Sequence, residues 1–325
     1  MMNWGTEMFD IHSEVIHTHA RIHPYIRQTP LDFSVQLSNV LTSNIYLKCE
    51  NLQYTGAFKV RGAFSKLLSL TKAERQQGIV TASSGNHGTA VAFGLSKLTI
   101  PGIVFLPENT SSIKVNNIRN YNIPIEFYGT DCVQTEIYAR QYAKKHNMIY
   151  VSPYNDLQVI AGQGTVGLEL MQQLDNIDVI LVPVGGGGLI SGIAGYVKTL
   201  SPNTMIIGCL PENSPVMAES VKANQIVEME TLPTLSDATA GGIESGSITF
   251  EMCKRWVDDF ILVSEEAIKN ALINMLSIQP LTLEGAAGVA IASLFKNAIQ
   301  FHGKNVVVVL SGGNISLETI KKILA

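Results

Sequence analysis

The chain has 325 residues, a prior of about two domains at roughly 150 residues each. Hydrophobic residues make up 46% and charged residues 15%, which excludes a mainly disordered chain. The 23 Lys and Arg against 27 Asp and Glu give a net charge of -4 with no basic cluster, so nucleic acid and anionic membrane are poor partners.

Short Val- and Ile-rich runs alternate with longer amphipathic stretches, the pattern of an α/β fold with parallel strands buried on both faces. A strand at 45–48 precedes a helix at 58–68, and a strand at 79–81 leads into a helix at 87–96. Strands at 103–106 and 125–128 follow, the second running into a helix at 131–146. A helix at 156–174 precedes the strand 179–183 and the helix 189–200. Strands at 205–209 and 260–263, helices at 265–276 and 285–295, and a strand at 306–310 complete the series. The three strands between about 79 and 150 read as a small domain, 76–154, inserted into a larger discontinuous one, 1–75 and 155–325. A polar turn, Ser152 to Asp156, follows the insert, and little room is expected after 310 for a regulatory domain.

Cys49, Cys132, Cys209 and Cys253 form no CxxC pair and are expected to be reduced and mostly buried. The N-terminus carries acidic residues where a signal peptide needs a basic start, so a cytoplasmic address is expected. The stretch 179–197 has no charge, but Pro183 and four consecutive glycines argue against a membrane helix.

The strand at 179–183 runs through Val184 into Gly185, Gly186, Gly187 and Gly188, and Leu189 opens a helix. Backbone amides at such a helix start, free of side chains, make a cradle for phosphate. A bare strand-to-helix turn would need fewer glycines. A dinucleotide fits poorly, because Ile190 and Ser191 stand where a third glycine belongs and no acidic residue ends the next strand. No lysine follows the glycines, which removes a Walker-type loop.

Ser83, Ser84, Gly85, Asn86 and His87 form a second strand-turn-helix, able to orient a carboxylate or simply to cap the helix. Lys59 lies among small and apolar residues where a helix begins. Most helical lysines are solvated, but burial and a positive helix end lower an amine's pKa toward the neutral form that Schiff-base chemistry requires. Ser311-Gly312-Gly313-Asn314 is a third small-residue turn at a strand end, the edge where ligands bind in open α/β sheets. Together these features suggest a phosphate-bearing aldehyde cofactor and a carboxylate-bearing amine substrate.

GAFKVRGA, SSGNHG, PVGGGG and SGGN, in this order, resemble the fold-type II pyridoxal-phosphate enzymes, specifically the serine/threonine dehydratase and serine racemase group, from about Arg27 to Ile315. The resemblance implies a fold like the tryptophan synthase β-subunit: two open, twisted, mostly parallel sheets flanked by helices. It implies pyridoxal 5'-phosphate held covalently by Lys59, with Phe58 beside it, Asn86 at the ring's phenolic oxygen and Ser311 at the pyridine nitrogen. Gly185, Gly186, Gly187, Gly188 and Leu189 would hold the phosphate, and Ser83, Ser84, Gly85 and His87 would surround the substrate carboxylate. A homodimer is the expected assembly. The implied reaction is β-elimination by an ammonia-lyase acting on L-threonine or L-serine.

The sequence departs from that group in places. Leu210 and Val216 stand where acidic ligands of a divalent cation would be expected, so no metal site is expected. Thr135 stands near the place of a racemase arginine, and Ala238 where glycine is common. The alternatives are a serine racemase, a dehydratase of 3-hydroxyaspartate or phenylserine, and a non-catalytic phosphate- or nucleotide-binding protein. Ser84 supplies a hydroxyl that could act as the second acid/base of a racemase.

Overall fold

Alternating side chains divide the central strands of this protein between two hydrophobic cores. In the computed structural model, which describes residues 9–324, the strands in chain order are β1 (Leu31–Phe33), β2 (Asn44–Lys48), β3 (Ile79–Ala82), β4 (Gly102–Leu106) and β5 (Ile125–Phe127). They continue as β6 (Ile149–Tyr150), β7 (Val179–Pro183), β8 (Met205–Pro211), β9 (Asp259–Val263) and β10 (Asn305–Val309). Ile180, Val182, Val307 and Val309 pack into one core beside Ile190 and Ile193 of the helix Gly188–Leu200. Val179, Leu181, Val306 and Val308 pack into the opposite core beside Val289 and Ile291 of the helix Gly285–Lys296. The two-residue period of the strand thus serves both faces, which is why these strands read as unbroken apolar runs.

One sheet has six strands in the order β1-β2-β10-β7-β8-β9, parallel throughout except for the β1 and β2 pair. The other has four parallel strands in the order β5-β4-β3-β6. The fold is therefore α/β with two parallel-rich sheets flanked by helices, as expected. Among the described residues no helix is long and apolar enough to cross a membrane. Cys49, Cys209 and Cys253 are buried, Cys132 is exposed, and all four are free.

The differences from expectation lie in short elements. β6 adds a fourth strand where three were expected between 79 and 150, and β1 adds an antiparallel edge. With two and three residues respectively, neither is long enough to display a period. The helix Lys72–Gln77 was also unexpected: it buries no residue and rests on a capping box between Thr71 and Glu74. The short helices Val35–Leu41, Ser112–Arg119 and Val216–Ala223, and the longer Ile11–Ile22, were also not expected, although each buries part of one face.

A buried ion network ties β2 to two helices. Arg61, on the helix Lys59–Ser69, donates to Glu50 Oε1 and Oε2, both at 2.8 Å, and to Glu169 Oε1 at 2.6 Å. Lys48 Nζ at the end of β2 donates to Glu169 Oε2 at 2.6 Å, and all of these side chains are fully buried. The network fixes the helix whose first residue is Lys59. Arg61→Leu would leave two buried carboxylates sharing one cation, at an expected cost of about 3–5 kcal/mol. Urea denaturation measures it, and a loss below about 1 kcal/mol would show that water replaces the guanidinium.

Candidate active site

Three of the four site segments follow adjacent parallel strands. β10 lies between β2 and β7, so the segment reaching Lys59, the turn at Ser311 and the glycine loop leave one edge of the sheet together. The fourth segment, Ser83 to Asn86, follows β3 of the other sheet.

Lys59 is the first residue of the helix Lys59–Ser69 and is half-buried. Its Nζ donates to the Pro153 carbonyl at 2.8 Å and lies 5.1 Å from the centre of the Phe58 ring. Burial pulls its pKa down to about 8, against a smaller upward pull from Glu284. Phe58 N–H donates to the Ser311 carbonyl at 3.0 Å, and Gly313 N–H to the Gly56 carbonyl at 2.9 Å, which joins the lysine segment to the SGGN turn. Ser311 is 1% exposed, yet its Oγ has no hydrogen-bond partner.

The glycine loop runs from β7 into the helix Gly188–Leu200 with Gly187 at φ +83°, the left-handed region. It is closely walled. A Cβ on Gly186 would lie 2.5 Å from the Tyr154 ring, and one on Gly187 would lie 2.7 Å from Met217 Cε. Tyr154 follows the residue that receives the Lys59 hydrogen bond and is held by Glu244 N–H donating to its hydroxyl at 2.9 Å.

Asn86 starts the helix Asn86–Leu98 and bridges the two sheets' contributions. Its Nδ2 is 2.9 Å from both carboxylate oxygens of Glu284, and its Oδ1 accepts from Asn314 Nδ2 at 2.8 Å. Ser83, Ser84 and Gly85 form the half-buried turn ahead of it, where Gly85 N–H donates to Ser83 Oγ at 3.2 Å. The ring of His87 is turned elsewhere. Its Nε2 is 3.1 Å from the Val151 carbonyl, and burial first and Lys59 second push its pKa down to about 3. The ring is neutral, so what His87 can offer a carboxylate is its backbone N–H at the helix start.

Among the described residues no group of three or more His, Cys, Asp or Glu is arranged to hold a metal. Leu210 and Val216 are buried, and Glu212 is paired with Lys296 at 3.3 Å.

These features fit pyridoxal phosphate: a desolvated amine, an unpartnered buried hydroxyl, and a loop of free backbone amides too tightly walled to admit side chains. Over residues 22–312 the sequence matches the family described as pyridoxal-phosphate dependent enzyme. The chain belongs to that family. L-threonine ammonia-lyase of Thermotoga maritima is 39% identical over 299 residues, covering 92% of this chain and 74% of that protein. The processed form of threonine deaminase isoform 2 from Solanum lycopersicum superposes with a TM-score of 0.92 at 30% identity, covering 98% of this chain and 94% of that one. Maize serine racemase superposes with a TM-score of 0.90 at 31% identity, covering 96% of each chain. The backbone is thus similar to that of a threonine deaminase and to that of a serine racemase alike.

Glu284, Asn314 and the Pro153-Tyr154 pair were not anticipated as parts of the site. Glu284 immediately precedes the helix Gly285–Lys296, where an acidic residue is ordinary helix-start chemistry. Asn314 belongs to the SGGN motif but carried no role of its own.

Proposed function

We propose that the protein is a pyridoxal-phosphate-dependent ammonia-lyase that converts L-threonine and L-serine to 2-keto acids and ammonia. The observation that carries this reading is a desolvated amine, Lys59, tied through Phe58 N–H to a segment whose Ser311 offers a buried neutral hydroxyl. Lys59 would hold the cofactor, Ser311 would meet its pyridine nitrogen, Asn86 its phenolic oxygen, and the amides from Gly185 to Leu189 its phosphate. Once bound, pyridoxal phosphate supplies an electron sink next to the substrate Cα. The neutral Ser311 hydroxyl at the ring nitrogen would keep that sink weak, which suits elimination of a β-hydroxyl.

The remaining steps belong to the chain. Ser83, Ser84, Gly85 and the first amides of the helix Asn86–Leu98 orient the substrate carboxylate. Lys59 Nζ, neutral in an appreciable fraction near pH 7 because of its lowered pKa, takes the α-proton. Loss of the β-hydroxyl as water and hydrolysis of the C–N bond then give the keto acid and ammonia. The names of the curated relatives support the same reaction.

The test is to mix the holoenzyme with L-threonine and L-serine and to follow keto acid release and substrate chirality together. Release of 2-oxobutanoate and pyruvate faster than any D-isomer is expected; racemisation outrunning release would overturn the reading. A second reading, racemase side activity, is favoured by the Ser84 hydroxyl. On that reading Ser84→Ala abolishes D-serine formation and leaves deamination within about tenfold, or ~1.4 kcal/mol of barrier. Equal D-serine from both proteins would remove Ser84 from the chemistry.

The proposal extends to organisation. All strands of the four-stranded sheet fall within 76–154, which supports a small domain inserted between 1–75 and 155–325. Three buried free thiols support a reducing, cytoplasmic setting, and the family resemblance supports a homodimer.

A further inference from the structure

Glu284 is 5% exposed and, among the described residues, pairs with no Lys or Arg. Its backbone N–H donates to the Gly312 carbonyl at 3.1 Å, and a Cβ added to Gly312 would lie 2.4 Å from its Oε1. The carboxyl group is therefore laid against the SGGN turn, and Asn86 Nδ2 reaches both of its oxygens at 2.9 Å.

A chain of polarity runs through these contacts. The Thr55 carbonyl can only accept, and it receives Asn314 Nδ2 at 2.8 Å. That orients the Asn314 amide, whose Nδ2 also donates to Asn86 Oδ1 at 2.8 Å. Asn86 must then turn its N–H edge to Glu284. An amide can flip its two ends at little steric cost, so its orientation is set by such partners. Nδ2 carries two hydrogens and can serve two acceptors.

We propose that Glu284 is a positioning residue for the cofactor: its carboxyl group keeps the N–H edge of Asn86 toward the ring's phenolic oxygen, and its proton controls how strongly that edge is shared. The proposal rests on the reading above, in which Asn86 meets that oxygen. With Glu284 ionised, two anionic acceptors draw on one amide; with Glu284 protonated, the ring oxygen keeps the larger share. The groups facing it set where the change falls. Burial raises its pKa to about 7; hydrogen bonds from Asn86 and the Asn314 backbone lower it, as does the Lys59 charge, while Asp237 raises it. Asp237 is itself paired with Lys114 at 3.0 Å.

The experiment compares the wild-type holoenzyme with Glu284→Gln and Glu284→Ala, reading the absorbance of bound pyridoxal phosphate against pH and its Kd by titration. Glutamine can still accept from Asn86 but cannot ionise. It should keep cofactor affinity within about threefold and lose the neutral-pH midpoint of the spectrum; alanine should weaken affinity roughly tenfold or more, as for a hydrogen bond to a charged group. The glutamine variant is nearly isosteric and decides the matter even where alanine disturbs the helix start. A midpoint unchanged in Glu284→Gln, or an affinity unchanged in Glu284→Ala, would overturn the proposal. Failure of the wild type to take up pyridoxal phosphate would overturn the functional reading as well. Cofactor bound at Lys59 with identical spectra in wild type and Glu284→Gln would overturn this inference alone.

Discussion

Lys59→Ala is expected to leave no borohydride-reducible cofactor on the chain and to lower keto acid release by roughly 10³-fold or more, since nucleophile and base are lost together. Cofactor affinity should fall far less if, as proposed, the amides after β7 hold the phosphate. The geometry also predicts a pH signature. An ordinary lysine has a pKa near 10.4, so its reaction with an aldehyde keeps accelerating well above pH 9. Burial pulls Lys59 down to about 8. The neutral amine dominates above that value, so reconstitution of the apoenzyme should accelerate up to about pH 8 and then level off. Peptide mapping after reduction locates the adduct; reduced cofactor on any other lysine would sink the assignment.

The parts of the site that were legible in the sequence are those with local signatures. The run 179–183 is apolar at every position and is followed by glycines, and its neighbour at 305–309 likewise ends in a small-residue turn. Parallel strands deliver their C-terminal loops to one edge, so convergence of those loops followed from strand direction. What escaped the reading depends on tertiary neighbours. Lys48, Glu50, Arg61 and Glu169 are charged residues of the kind that usually face solvent, and only packing of two helices against β2 shows that they neutralise one another in the interior. Glu284 escaped for a related reason: its partner Asn86 is 198 residues away, and no spacing rule joins them. His87 belonged to a recognised motif, but burial against Val151 changes what its ring can contribute.

Gly187→Asp is expected to weaken pyridoxal phosphate binding by about 10³-fold. Two terms contribute, and a second variant separates them. Gly187 sits at φ +83°, and a Cβ there would lie 2.7 Å from Met217 Cε, 3.1 Å from Thr249 Cβ and 3.2 Å from Cys253 Sγ. Left-handed backbone costs a non-glycine residue roughly 1–2 kcal/mol, so Gly187→Ala should lose about tenfold in affinity. On the proposed placement of the phosphate, aspartate would add a carboxylate beside it. At an effective dielectric near 20, unit charges about 4 Å apart repel by ~4 kcal/mol, enough to account for the remaining loss even after partial screening. The electrostatic part is screened by salt and the steric part is not. Raising the ionic strength should therefore recover some affinity in Gly187→Asp and none in Gly187→Ala. Equal affinities for the two variants at low salt would mean that the phosphate does not lie against this loop.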